Sequence, residues 1–171
     1  MAVERSSKEE IQLVVFRIKD EESGVDINQV REIVKLVSIT RMPKAPAFIE
    51  GVVNLRGQII TVIDLSKRLD LPSQGRTDTT RIMVVEVGDN TVGMIVDSVS
   101  EVLRLSKDQI ERTPQLIQTE IHERYLRGVG KLGDRLLILL DLNEVLSSEE
   151  IQHMSKHVDA VKDSLVKDFA N

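Results

Sequence analysis

The chain has 171 residues, a formal net charge of -5 and 41% hydrophobic residues, enough apolar material for one ordinary folded domain and too much for global disorder. Only 2% is aromatic, namely Phe16, Phe48, Tyr125 and Phe169, which argues against a base-stacking surface for single-stranded nucleic acid, and the acidic balance argues against a basic face that tracks phosphates. The absence of cysteine excludes disulfides, thiolate metal sites and thiol nucleophiles, and fits a reducing compartment.

Residues 1–10 are polar and mixed in charge, without an apolar stretch of signal-peptide length, and are expected to be a flexible N-terminus. With no apolar run near 18 residues anywhere, a cytoplasmic protein without direct membrane insertion is expected. Short β-branched runs follow at Leu13 to Ile18, Ile59 to Leu65, Ile82 to Val87 and Leu136 to Leu142. Gly, Asn, Asp and Pro separate them, which predicts strands up to about residue 146. Between the first two runs, Met42-Pro-Lys-Ala-Pro-Ala-Phe-Ile-Glu-Gly predicts an extended connection that delivers Phe48 to the core, because each Pro restricts the residue before it. Ser73 to Thr80 contains nothing apolar and reads as a connector. Ser106 with Gln109 predicts a short helix that Pro114 interrupts. Ser147 with Glu150 is a second capping box, and Ile151, Met154, Val158, Val161 and Leu165 then recur at steps of three or four. That spacing predicts a C-terminal α-helix over 148–168 whose apolar stripe packs on a barrel rather than on a membrane, since its polar face carries acids as well as lysines.

An internal repeat organises the rest. Leu13 to Leu36 can be laid on Ile82 to Leu105 without a gap, matching Gly24 with Gly93, Val30 with Val99 and Glu32 with Glu101. After an insertion in the second copy, Phe48 to Leu65 falls on Tyr125 to Leu142, pairing Gly51 with Gly128 and Asp64 with Asp141. Each copy reads as a half of about five strands, spanning about 11–72 and 80–147. A half that small buries too little to stand alone, so the two are expected to share a core and to form a single domain over 11–147.

Candidate chemistry is sparse. His153 and His157 lie four apart on the terminal helix but lack a third ligand, so they read as solvated positions, and no metal or cofactor is expected. Asp64 and Asp141, duplicated carboxylates that could be proposed as a catalytic pair, each follow an apolar run and precede Leu. They read as strand ends whose side chains accept backbone N–H groups. Gly51, Gly57, Gly128 and Gly133 have no strand-turn-helix context for a nucleotide, and are expected in turns between strands. No enzyme is expected, which leaves surface recognition. Arg56, in Asn54-Leu-Arg-Gly, stands where the second copy has Gly133, so the repeat does not demand an arginine; its guanidinium fork suits a partner's carboxylate or carbonyls, against the plainer reading of a solvated turn cation. Period-two reading puts Val30, Glu32, Val34 and Leu36 on one strand face, and a glutamate among apolar residues needs either an internal ion pair or a partner.

These residues resemble a known family. Val30-Arg-Glu-Ile, the run from Met42 to Gly57 that ends in Asn-Leu-Arg-Gly, Val62-Ile-Asp-Leu, Gly93-Met-Ile-Val-Asp-Ser-Val and Tyr125-Leu-Arg-Gly-Val together look like the CheW family of bacterial chemotaxis coupling proteins. The likeness runs from about Leu13 to Leu146, with Thr61 standing where many members carry Pro. It implies two SH3-like five-stranded β-barrels with intertwined halves. It further implies a non-enzymatic adaptor, recruited to membrane-associated receptor arrays, that links the cytoplasmic tips of chemoreceptors to the regulatory domain of the histidine kinase CheA. Receptor contacts are expected in the groove between barrels, with Glu32 and Arg56 first and Val30, Val99 and Val102 as apolar lining; kinase contact is expected on exposed apolar strand surface. Residues 147–171 are too few for the receiver domain of the related CheV, so a free-standing coupler is expected. The competing reading is a small-ligand-binding β-barrel, which requires a deep pocket between the halves.

Overall fold

A computed structural model describes residues 9–72, 75–112 and 121–146. Eleven strands are seen: β1 (Glu10–Ile18), β2 (Glu21–Asp26), β3 (Val30–Lys35), β4 (Ile49–Leu55), β5 (Gln58–Asp64), β6 (Arg81–Val87), β7 (Asn90–Val96), β8 (Ser98–Ser106), β9 (Ile110–Glu111), β10 (Leu126–Leu132) and β11 (Arg135–Leu140). Single-turn helices follow β5 at Leu65–Arg68 and β11 at Leu142–Val145. The chain is thus mainly β, as its patterning predicts. The run Leu136 to Leu142 ends its strand at Leu140, because Asp141 takes up the N-cap and turns Leu142 into a helix. The short helix expected after Ser106 is one 3-10 turn, Lys107–Gln109, in which the Ser106 backbone N–H donates to the Gln109 amide oxygen at 2.9 Å. The C-terminal helix expected over 148–168, the N-terminal residues 1–8, and His153 and His157 lie outside the described residues.

The strands form a six-stranded sheet in the order β8-β1-β2-β11-β10-β9 and a five-stranded sheet in the order β3-β6-β7-β5-β4. In repeat terms the two orders are the same, with β9 added at one edge. The β1–β2 hairpin of the first copy lies among strands of the second, and the β6–β7 hairpin of the second lies among strands of the first. The joins are the parallel pairings β2 with β11 and β5 with β7.

Adjacent residues of one strand feed different cores. In β6, Ile82 and Val84 face a cluster inside their own sheet with Val53, Ile60, Val62 and Ile95, whereas Met83 and Val85 face a large cluster between the sheets. In β1, Leu13 and Val15 face the other inner cluster, with Leu105, Leu137 and Leu139, whereas Val14 and Phe16 face the shared one. Burial on both faces explains why these strands read as unbroken apolar runs rather than as alternating ones. Gly24 and Gly93, matched in the repeat, each face an inner cluster: a Cβ on Gly93 would lie 2.9 Å from Ile82 Cγ2 and one on Gly24 3.4 Å from Leu139 Cδ2.

The turn glycines divide into two kinds. Gly57 and Gly133 occupy hairpin turns with φ of 84° and 58°, as expected. Gly51 and Gly128 do not: they lie within β4 and β10, each just past a register shift in the pairing with the next strand. There the main chain of another segment passes so close that a Cβ would stand 2.0 Å from the Thr40 carbonyl oxygen or 2.8 Å from that of Glu111. The segment 42–48 is also less extended than expected, with turns at Pro43-Lys44 and before Phe48, and with Met42 buried.

Candidate partner-binding site

Arg56 and Gly57 are the two central residues of the β4–β5 hairpin, flanked by the pair Leu55 and Gln58. Both have positive φ, 51° and 84°, the requirement of a type I′ turn. Asn54 stabilises the turn, its Oδ1 accepting the Gly57 N–H at 2.8 Å. A non-glycine residue in the left-handed region costs about 1 kcal/mol. The repeat shows how that cost is ordinarily avoided, since Gly133 fills the matching place with φ of 58°.

From this strained position the Arg56 side chain, 73% exposed, reaches an ion pair with Glu32 on β3, whose side chain is 25% exposed. β3 is one edge of the five-stranded sheet and β4 the other, so the pair joins opposite edges and requires the sheet to curl. The alternation predicted for β3 is observed: Val30, Glu32 and Val34 are half-buried, whereas Arg31, Ile33 and Lys35 are exposed. Glu32 therefore stands at the rim of the inner cluster beside Val84, its partner in β6, and Arg56 caps it. Around the pair lies an open cleft of about 260 Å³ that Arg31, Leu55, Gln58 and Ile60 also line. Arg31 and Gln58 escaped the sequence reading because each is an unremarkable polar residue until the register shift near Arg31 and the turn bring them together.

The second copy repeats the rim carboxylate with another cation. Glu101 meets Arg135 at 3.3 Å, and Arg135 also makes a forked pair with Glu22 at 2.9 and 3.0 Å. This fork holds the Glu22 carboxyl below its ordinary value. The turn position that matches Arg56 in this copy is Gly133.

The three predicted valines are not gathered around Arg56. Val30 and Val99 are half-buried and pack on the shared core. Val102 belongs to the edge strand β8, opposite buried Val14, and is 52% exposed. Exposed Ile33 is its counterpart in the repeat.

Other candidates have structural partners. The Asp64 carboxylate accepts the Lys67 N–H at 3.3 Å and that of Asp141 accepts the Asn143 N–H at 3.0 Å, so both cap single-turn helices as expected. Their backbone N–H groups donate to the carbonyls of Phe48 and Tyr125 at 2.8 and 2.9 Å. The two matched rings meet around one cation: the Arg68 guanidinium lies 4.9 Å from the Phe48 centroid and 5.6 Å from that of Tyr125, and its Nε donates to the Val145 carbonyl at 2.6 Å. Among the described residues no cluster of three acids or histidines could hold a metal, and no helix is long and apolar enough to cross a membrane.

Two interlocked sheets that exchange hairpins around a shared core, with a charged cleft at the rim of one sheet, define the class as a duplicated all-β module. The comparisons name the family within that class. Residues 12–150 match the CheW-like domain family. The chain is 41% identical over 140 residues to the chemotaxis protein CheW of Klebsiella aerogenes, covering 82% of this chain and 84% of that one. It is 36% identical over 151 residues to the CheW of Treponema pallidum, covering 86% and 88%. Its fold is similar to the crystal structure of the scaffolding protein TtCheW from Thermoanaerobacter tengcongensis, with a TM-score of 0.76, 39% identity, and coverage of 83% of this chain and 96% of the other. The chain belongs to the CheW family. It is a non-catalytic chemotaxis scaffold with the SH3-like fold of that family.

Proposed function

We propose that this scaffold couples the cytoplasmic tips of chemoreceptors to the regulatory domain of the kinase CheA, acting in the cytoplasm at membrane-associated receptor arrays. One small module holds two proteins in fixed relative geometry, and no covalent step is required. The receptor surface is centred on the cleft of Glu32 and Arg56 and extends beyond it along the groove between the barrels, where Val30, Val99 and exposed Val102 are the proposed apolar lining. The observation that carries this reading is Arg56 itself, an exposed guanidinium kept in a left-handed turn at a place where the repeat uses glycine. Strain retained at an exposed site points to a role outside folding. Glu32 holds the fork in place before the partner arrives, which lowers the entropy lost on binding.

A pull-down of the chain with a receptor cytoplasmic fragment and with CheA tests the reading, and retention of both is the expected result; retention of neither overturns it. Arg56→Gly, which keeps the turn, is expected to weaken receptor binding about tenfold or more, as for loss of a 1.4 kcal/mol contact, and to leave CheA retention unchanged. Unaltered receptor binding would remove Arg56 from the site.

A further inference from the structure

The cleft of about 260 Å³ at the rim of the five-stranded sheet carries more positive charge than its own carboxylate balances. Its polar lining is Arg31, Glu32, Arg56 and Gln58. Two backbone irregularities bring the arginines there. Val30 and Glu32 pair with the adjacent residues Val85 and Val84, so Arg31 is the extra residue of a β-bulge. The bulge switches the face of the strand: Val30 packs on the shared cluster and Val34 on the inner one, and Arg31 and Glu32 both line the cleft. The left-handed turn brings Arg56 across from the opposite edge to pair with Glu32. Among the described residues, neither the Arg31 guanidinium nor the Gln58 amide has a polar side-chain partner. The other charges of the sheet do not restore the balance. Lys35 and Arg81 outnumber Glu86 on β3 and β6, Glu50 is held by Lys67 and Arg76, and Asp64 caps the helix after β5. Strand β7 carries no charged residue.

We propose that this cleft seats one carboxylate side chain, an aspartate or glutamate presented by the chemoreceptor tip, and that Arg31 is the residue that selects for it. A guanidinium has several N–H donors in a planar fork. Glu32 occupies part of the Arg56 fork, and the other Arg56 donors and the whole of Arg31 are left for a second carboxylate. The Gln58 amide adds a neutral donor beside the turn. A lysine or an amide from the partner would close the interface over Arg31 without a counter-charge, and the cost of desolvating that guanidinium rejects it. Because Arg31 is exposed, its effect falls mainly on the rate of association and on the response to salt. This rests on the receptor reading of the cleft and adds the chemistry of the group received.

Surface plasmon resonance of the full chain on an immobilised chemoreceptor cytoplasmic fragment, at low and at high sodium chloride, tests this. Arg31→Gln is expected to weaken binding about fivefold at low salt, chiefly through slower association, and to flatten the salt dependence. Arg31→Glu is expected to weaken it about thirtyfold, and Gln58→Glu, which keeps both arginines but adds a competing acid to the cleft, about fivefold. Arg112→Gln, at an exposed arginine after β9 of the other sheet, is expected to bind as the parent does. If the parent binds and the Arg31 variants bind equally well, the carboxylate assignment falls and the coupling reading stands. Equal weakening by Arg112→Gln overturns the assignment too, as the mark of general charge attraction, and so does tighter binding by Arg31→Glu, as the mark of a cationic partner group. No binding by the parent overturns both readings. Arg31 and Gln58 are exposed, so the thermal midpoints of the variants should match the parent's. Should the Arg31 variants fail to fold, Gln58→Glu decides, and unchanged binding by it overturns the assignment.

Discussion

Arg56 shows how a single residue can be costly to the fold and still be kept. Its left-handed φ disfavours any side chain with a Cβ, and nothing lies within 4 Å of a Cβ built at the neighbouring Gly57 or at the matching Gly133, so the turn is open and only backbone strain is at issue. Arg56→Gly is therefore expected to leave the free energy of unfolding within about 1 kcal/mol of the parent, read from denaturant midpoints. A larger loss would make the Glu32 pair a structural element. Ser23 is the opposite case, a residue whose polarity the fold does not use. It is fully buried with no hydrogen-bond partner for its hydroxyl, and the repeat has Val92 in its place. Ser23→Ala is expected to raise stability by about 1 kcal/mol, and a decrease would show that the hydroxyl is satisfied in solution. Asp64 combines both lessons. Burial pushes its carboxyl above the ordinary aspartate value, against the opposing effect of the Lys67 N–H. Because the folded state holds the proton more tightly, stability gained from this group is complete below the unfolded value and is lost as pH rises through the folded one. Asp64→Asn keeps a capping oxygen and removes the buried charge. It is expected to match or exceed the parent at pH 7 in thermal unfolding and to lose that advantage on acidification; a lower midpoint at pH 7 contradicts the assignment.

At the scale of elements, Gly51 in β4 and Gly128 in β10, each crowded by main chain, are more demanding than the glycines in the turns. Gly51 has φ of 150° and faces the Thr40 carbonyl, which pairs with Val52 across an isolated bridge. Backbone cannot give way as a side chain can, so Gly51→Ala is expected to cost about 3 kcal/mol or more. Gly57→Ala, with open space and strain alone, should cost about 1 kcal/mol. Equal effects in chemical denaturation would show that the Thr40 segment yields. A sequence reading cannot separate these positions, because each glycine stands between β-branched runs and next to polar residues. What distinguishes Gly51 is the approach of a segment that the repeat places but does not orient.

At the scale of the molecule, each sheet takes strands from both copies, and the shared cluster draws on both sheets. Neither copy therefore owns a complete sheet. The Arg68 guanidinium, set between Phe48 and Tyr125 and bonded to Val145, adds a polar link between matched parts of the two copies. Unfolding of the full chain is expected as one transition, coincident by far-ultraviolet circular dichroism and by a label in either sheet. Two separated transitions would mean that the sheets are stable independently.

The amino-acid sequence by itself determined the β character, the duplication, the paired caps at Asp64 and Asp141, and the family likeness, because each rests on local periodicity or on matched positions along the chain. It also marked Arg56 and Glu32 as departures that a plain strand does not need. Only the tertiary structure decided that these two residues meet and that Val30 and Val99 turn toward the shared core, while Val102 is exposed on an edge strand of the other sheet. The family likeness implied intertwined halves, and the tertiary structure decided which hairpins are exchanged. The physical reason is the same in each case: strand pairing and side-chain direction across a curled sheet depend on contacts between residues far apart in the chain, and period-two patterning carries no information about which strand lies next to which.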